Sequence, residues 1–156
     1  MVEFPGRLLG IDHGLKYLGF ATCDPTGLIA TPLQVLERRS KREDFAIVNE
    51  IIAAQRSVAI VLGLPPRPPD FVGYSQADTV RNWAKHLWHA VHIPIYLWDE
   101  GFSSVDAEAA LQSAGKRPPG RIDAHAAAVI LQTFLDAIRE GRPWPAPFSG
   151  GEPSES

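Results

Sequence analysis

The chain has 156 residues, of which 45% are hydrophobic and 21% charged, with a formal net charge of −3. This composition is typical of one globular domain with a real core. The single cysteine, Cys23, excludes a disulfide framework and a cysteine-rich zinc site. No apolar run approaches the roughly 20 residues that span a bilayer. The first ten residues do not have a signal-peptide pattern, so we expect a cytoplasmic protein that does not associate with membranes.

The first third of the sequence predicts three antiparallel strands. "RLLGIDHG" is an apolar run that contains Asp12 near its end, and "YLGFATC" after it has β-type composition. The second run stops at "DPTG", a strong turn signal. The third run, "LIATPLQVLE", contains Pro32, which favours an edge strand or a bulge. Residues 7–36 therefore indicate an antiparallel meander.

The rest of the chain alternates between helical and strand patterns. Residues 40–55 predict a helix with Ser40 as a candidate N-cap and an apolar stripe formed by Phe45, Val48, Ile51 and Ile52. "VAIVLGLP" reads as a central parallel strand. A second helix over about residues 75–92 is expected to bury one face, formed by Val80, Trp83, Ala84, Leu87 and Val91. "IPIYLW" is the last predicted strand, and helices are predicted over about 103–114 and 121–140.

This order of elements predicts an α/β fold. We expect a mixed five-stranded sheet, made of the three-strand meander and two parallel strands, flanked by helices. The predicted domain covers residues 1–142. Residues 143–156 are rich in Pro, Gly and Ser, which predicts a flexible tail.

Acidic residues stand where predicted elements end or begin. Asp12 follows the first strand, Asp99 and Glu100 follow the last one, and Asp123 lies near the start of the final helix. In open α/β sheets ligands bind beyond the carboxyl ends of the strands. A cluster of carboxylates raises its own pKa values, but divalent magnesium or manganese would neutralise it. Two such ions can stabilise both the attacking water and the leaving oxygen in phosphodiester cleavage.

Each acid also has a simpler interpretation. Asp12 can make turn hydrogen bonds before Gly14, and Asp99 and Glu100 can form a solvated strand end. Asp123 can stabilise the positive end of the helix dipole. The positions of the acids alone therefore leave both interpretations open.

Four separated motifs resemble one protein family. "GIDHGLKYLGFATCDPTGLIATPL", "VLGLP", "DEGFSSVDAEAAL" and "RIDAHAAAVILQTFLD" are similar, in this order, to the motifs of the YqgF (RuvX) family. These are Holliday-junction-resolvase-like nucleases with an RNase H-like fold. The resemblance covers roughly residues 6–140 and implies a magnesium- or manganese-dependent phosphodiesterase that acts on structured nucleic acid.

The resemblance also implies roles for individual residues. Asp12 matches the metal ligand of the first strand, Glu100 the acid after the last strand with Asp99 beside it, and Asp123 the helix aspartate. The implied partner is nucleic acid, namely the precursor of 16S rRNA at its 5′ end, or branched or single-stranded DNA. Monomer and homodimer both remain open.

A further group of residues is expected to contact nucleic acid. The resemblance assigns a phosphate contact to Lys16, and Ser103 and Ser104 keep hydroxyl groups that can cap a helix or bond a phosphate. Lys116, Arg117 and Arg121 flank the loop before Asp123 and can form a basic rim. A second basic cluster lies between the meander and the first helix, and its simplest interpretation is a solvated face: Arg38, Arg39, Lys41 and Arg42.

The sequence departs from the family pattern at positions that bear on activity. Leu15 replaces a usual threonine, Tyr17 a basic residue, and Gly101 the arginine after the Asp-Glu pair. Arginine binds phosphate in a bidentate way, so its loss puts substrate affinity in question. These departures keep a second hypothesis open, a nucleic-acid-binding or ribosome-assembly factor with little turnover. We do not expect a sugar-kinase or actin-like ATPase, because such proteins place the nucleotide between two domains of this kind and these 156 residues amount to one.

Overall fold

The computed structural model describes residues 4–65, 73–99 and 124–150. These residues form five strands and three helices: β1 (Arg7–His13), β2 (Tyr17–Cys23), β3 (Ala30–Glu37), α1 (Lys41–Gln55), β4 (Ser57–Leu64), α2 (Gln76–Ala90), β5 (Ile95–Asp99) and α3 (Ala124–Arg139). The helix predicted over 103–114 lies outside the described residues.

The five strands form one mixed sheet in the order β3-β2-β1-β4-β5. β2 pairs antiparallel with both β1 and β3, whereas β1 pairs parallel with β4 and β4 parallel with β5. The predicted fold class is therefore confirmed. Pro32 lies on an edge strand, next to a register irregularity between Phe20 and Ala21 of β2. Both alternatives for the proline hold, because an edge or a bulge tolerates a missing amide donor.

Each face of the sheet is covered by its own helices. Leu9 and Ile11 of β1 belong to a core shared with α1 and α2. Leu8, on the other face, belongs to the core shared with α3. Successive side chains of a strand point to opposite faces, so β1 contributes to both cores and is buried along most of its length.

The sequence periodicity correctly identified the faces of α1 and α2. Phe45, Val48 and Ile51 of α1 are buried, and Ser40 caps the helix by accepting a hydrogen bond from the Glu43 amide at 3.1 Å. The predicted stripe of α2 is also buried: Val80, Trp83, Ala84 and Leu87, with Val91 just after the helix.

Two aromatic residues of the segment after α3 contact the domain. The Trp144 ring contacts Phe4, Tyr96 and Phe134 with centroid distances of 5.7, 5.3 and 5.3 Å. The Phe148 amide donates a hydrogen bond to the Ile95 carbonyl at 2.7 Å. Trp144 and Phe148 therefore contact the domain, while the predicted domain boundary at residue 142 and the flexible tail over 143–156 stay predictions.

Within the described ranges, no helix is long and apolar enough to cross a membrane.

The turn between β2 and β3 is built around Asp24. Its carboxylate accepts hydrogen bonds from the amides of Thr26 (3.1 Å), Leu28 (3.0 Å) and Ile29 (2.8 Å), and from the Thr26 hydroxyl. These bonds, led by that of the Thr26 hydroxyl, lower the pKa of Asp24 from 3.8 to about 2. The carboxylate thus satisfies several backbone donors that the turn would leave unpaired.

We predict that Asp24→Ala destabilises the protein by about 1 kcal/mol at pH 7. The value is small because solvent weakens the hydrogen bonds of an exposed carboxylate. Because the folded pKa of Asp24 lies below the unfolded one, the unfolded state binds more protons between pH 4 and pH 2. The additional unfolding free energy of the wild type over Asp24→Ala is therefore fully present above about pH 4 and is lost as the pH falls to about 2. Urea unfolding of both proteins across this range measures it. A difference in unfolding free energy that stays constant from pH 5 to pH 2 would contradict the role of the carboxylate.

Candidate active site

Asp12 lies near the carboxyl end of the central strand β1 and is only 6% exposed. Its backbone pairs with Gly19 of β2. Alternation along β1 places its side chain on the same face as Leu8 and Gly10, the face that α3 covers. The structure therefore presents this carboxylate at the sheet edge where the sequence predicted the site, on the side of α3.

The helix α3 approaches β1 at Gly10 closely enough to leave no room for a side chain. A Cβ atom at Gly10 would lie 2.9 Å from the Leu131 Cβ and 3.1 Å from the Ala127 carbonyl oxygen. The first turns of α3 therefore lie directly over the strand that carries Asp12. Asp123 precedes Ala124, the first residue of α3, in the sequence, but lies outside the described residues.

Asp99, the last residue of β5, is placed differently from Asp12. Its neighbour Trp98 faces α3, where its ring lies 5.1 Å from that of Phe134 and its indole N–H donates to the Thr133 hydroxyl at 2.9 Å. Strand alternation then directs Asp99 to the opposite face of the sheet. The sheet thus does not bring the Asp99 carboxylate onto the face of Asp12.

His13 also faces away from Asp12. Its ring packs against Trp83 of α2 with a centroid distance of 4.8 Å and is 7% exposed. Burial, together with the nearby charges of Arg38 and Lys41, lowers the pKa of His13 from 6.5 to about 4. The imidazole is therefore neutral at pH 7 and part of the core between the sheet and α2.

The hairpin between β1 and β2 is joined to the turn before α1 by an arginine. Arg38 donates from its guanidinium to the Gly14 carbonyl at 2.8 Å, and its amide donates to the Lys16 carbonyl at 2.8 Å. Lys16 is exposed on this hairpin. Sequence reasoning missed the role of Arg38, because a charge run gives no sign of which member bonds to a distant backbone.

The remaining predicted site residues lie outside the described residues: Glu100, Asp123, Ser103, Ser104, Lys116, Arg117 and Arg121. Within the described ranges, no group of three or more His, Cys, Asp or Glu side chains could hold a metal ion. Two of the three predicted ligands are not in those ranges, so the three-carboxylate site stays a prediction.

Comparison with known proteins agrees with the sequence resemblance and the fold. The model of the RuvX family, described as Holliday junction resolvase, matches residues 6–137. The chain belongs to the RuvX family.

Two relatives from Synechococcus strains, JA-2-3B'a(2-13) and JA-3-3Ab, are 42% and 40% identical to it. The alignments cover 86% and 92% of this chain, and 81% and 91% of the relatives. A relative from Syntrophus aciditrophicus is 37% identical over 86% of this chain and 91% of its own length. All three carry the name "Putative pre-16S rRNA nuclease".

Solved structures of RuvC from Thermus thermophilus have the same fold. RuvC in complex with a Holliday junction substrate superposes with a TM-score of 0.61 at 19% identity, covering 92% of this chain and 99% of RuvC. Another RuvC structure gives a TM-score of 0.58 at 17% identity, with 91% and 99% covered. At this level of identity the likeness establishes the RNase H-like fold of this RuvX family member.

We predict that Gly10→Ala destabilises the protein by about 1–3 kcal/mol, since the added methyl group overpacks the contact with α3. The smaller conformational entropy of unfolded alanine offsets only part of this cost. Thermal and urea unfolding measure the change. Val35→Ile, which adds one carbon on the exposed edge strand β3, serves as the control and should change stability by less than about 0.5 kcal/mol. Equal stability of Gly10→Ala and wild type would show that α3 shifts freely.

Proposed function

We propose that this RuvX family member is a divalent-metal-dependent nuclease that hydrolyses phosphodiester bonds of structured nucleic acid. The precursor of 16S rRNA, processed at its 5′ end, is the favoured substrate, and branched DNA is a second one. The proposal rests chiefly on one observation: the family's first-strand acid, Asp12, is a buried carboxylate at the carboxyl end of the central strand, under α3. The names of the relatives support the choice of substrate.

The donor chemistry of the proposed site fits magnesium or manganese. Asp12, Glu100 and Asp123 would supply carboxylate oxygens only, which hard divalent cations prefer. Because alternation directs Asp99 to the opposite face, we assign the acid contributed after β5 to Glu100 rather than to Asp99. Bound there, such ions would lower the pKa of a water molecule and stabilise the leaving oxygen.

The protein itself contributes a rigid position for the first carboxylate. β1 is paired on both sides, with β2 and β4, so the backbone at Asp12 has little freedom to move. The contact of α3 at Gly10 covers the same face and shields the base of the site from water. A carboxylate held in this way loses little conformational entropy when it binds a ligand, which is the general advantage of preorganisation.

The second candidate function is a nucleic-acid-binding or ribosome-assembly factor with little turnover. The hairpin after Asp12 favours it: Leu15, in place of the family threonine, is 78% exposed, and Tyr17 replaces a basic residue. Lys16 is then the single cationic side chain of residues 14–17, so this hairpin binds phosphate less strongly than the family pattern implies.

We predict that Asp12→Asn lowers cleavage of a structured RNA by about 100-fold or more, because removing a charged metal ligand costs several kcal/mol of transition-state stabilisation. The assay compares wild type and variant on RNA and on branched and single-stranded DNA, each with Mg²⁺, Mn²⁺ or EDTA. Glu100→Gln and Asp123→Asn should have the same effect, and thermal unfolding confirms that each variant folds.

Asp136→Asn provides the matched control for this experiment. Asp136 is an exposed carboxylate on α3, remote from Asp12, and accepts a hydrogen bond from Gln132 at 3.0 Å. We expect this variant to cleave like wild type. Wild-type protein that cuts no faster than Asp12→Asn with either metal would overturn the nuclease proposal and leave the binding factor.

A further inference from the structure

The hairpin after β1 and the turn before α1 enclose a basic pocket. Its volume is about 300 Å³, and it is lined by Leu15, Arg38, Arg39, Ser40, Lys41 and Asp44. We propose that this basic pocket binds a backbone phosphate of the nucleic-acid substrate, away from the bond that is cut. The inference rests on the proposed function and adds a second contact region to it.

The sheet topology places the basic pocket at the edge of the sheet where β1 ends, close to Asp12 in the sequence. β1 and β3 are both antiparallel to β2, so they run in the same direction. Their carboxyl ends therefore lie at the same edge of the sheet, and Glu37 at the end of β3 pairs with Tyr17 at the start of β2. Leu15, which lines the pocket, is three residues beyond Asp12. A nucleic acid held at Asp12 and extended along this edge toward β3 would reach the pocket.

The charge around the pocket is positive although the whole chain is negative. Residues 14–17 and 37–44 carry five basic side chains and three acidic ones, in a chain with a net charge of −3. One acid, Asp44, is 2% exposed and is already engaged, since it accepts a hydrogen bond from the Arg39 amide at 3.0 Å and lies 4.0 Å from the Arg38 guanidinium. A local positive patch on an acidic protein is a typical footprint for phosphate.

Arg38 makes the pocket a built structure rather than a run of independent charges. Its guanidinium bonds to the carbonyl of Gly14, its amide bonds to the carbonyl of Lys16, and its Nε faces Asp44. These contacts hold the two loops together and fix the wall of the pocket before any ligand arrives. The solvated-face interpretation of this cluster does not account for such a bridge.

The groups that remain available suit a phosphate. Arg39 and Lys41 are exposed and form no ion pair with the described part of the chain. Ser40 is the N-cap of α1 and lines the pocket, so the positive end of the α1 helix dipole lies at the pocket and supports binding of an anion. Among the described residues, no aromatic side chain lines the pocket, which favours contact with the backbone over stacking of a base.

The test measures binding separately from cleavage. The double variant Arg39→Gln with Lys41→Gln is made in the Asp12→Asn background. Its affinity for a fluorescein-labelled RNA hairpin with a single-stranded 5′ extension is measured at salt concentrations between about 50 and 200 mM, because the salt dependence of affinity reports the number of phosphate contacts. A DNA oligonucleotide of the same sequence forms the second arm. Arg81→Gln with Arg139→Gln, which removes the same charge from exposed positions on α2 and α3, is the matched control.

We expect the pocket variant to bind RNA about tenfold more weakly and to reduce the slope of log K against log salt by about 1–2, the value for one or two lost phosphate contacts. The control should lose less than about twofold. Loss with RNA alone would assign the pocket to RNA, and equal loss with both probes would assign it to the shared phosphodiester backbone. Either result supports the proposal.

Two results would overturn the pocket: unchanged affinity and slope in the pocket variant, or an equal loss in the control. Thermal unfolding excludes misfolding, and Arg38, whose contacts are structural, is left intact. The outcome is also separable from the nuclease proposal. Pocket-dependent binding by a protein that does not cleave would leave this inference standing and remove only the nuclease activity.

Discussion

The contact between Gly10 and α3 is the constraint on which the candidate site depends. A helix can lie this close to a strand only where the strand has no side chain, and Gly10 provides that gap two residues before Asp12. The same contact brings the start of α3 over β1. The contact therefore fixes the start of α3 relative to the strand that carries Asp12.

The alternation of β1 separates two kinds of chemistry on the two faces of the sheet. Asp12 lies on the α3 face, where the proposed metal ligands would gather. His13, one residue later, lies on the α1 and α2 face, where burial keeps its imidazole neutral. A histidine next to the candidate acid in the sequence is thus part of the hydrophobic core, and its position gives it no direct access to the face of Asp12.

The basic pocket supplies positive charge that the family pattern places at residues this chain lacks. Tyr17 and Gly101 remove two positive groups that the family pattern places near the site, while Arg38, Arg39 and Lys41 supply positive charge at the same edge of the sheet. A substrate held partly by these residues would depend less on the phosphate contacts that the family pattern places at positions 17 and 101. The distribution of charge along the edge is then compatible with the proposed binding of nucleic acid by an acidic chain, because affinity for phosphate depends on local and not on net charge.

The sequence by itself determined the order of strands and helices along the chain, the faces of α1 and α2, the family and the identity of the candidate acids. These follow from local periodicity, turn chemistry and short motifs, which neighbouring residues encode. Only the tertiary structure decided the face on which Asp99 and His13 lie, the bridge made by Arg38, and the packing of Trp144. Each of these depends on contacts between segments far apart in the chain, such as Trp144 with Phe4, and no local pattern specifies such pairs. A glycine inside a strand is the local signal of a close contact at Gly10, but only the position of α3 identifies Leu131 and Ala127 as the residues that make it.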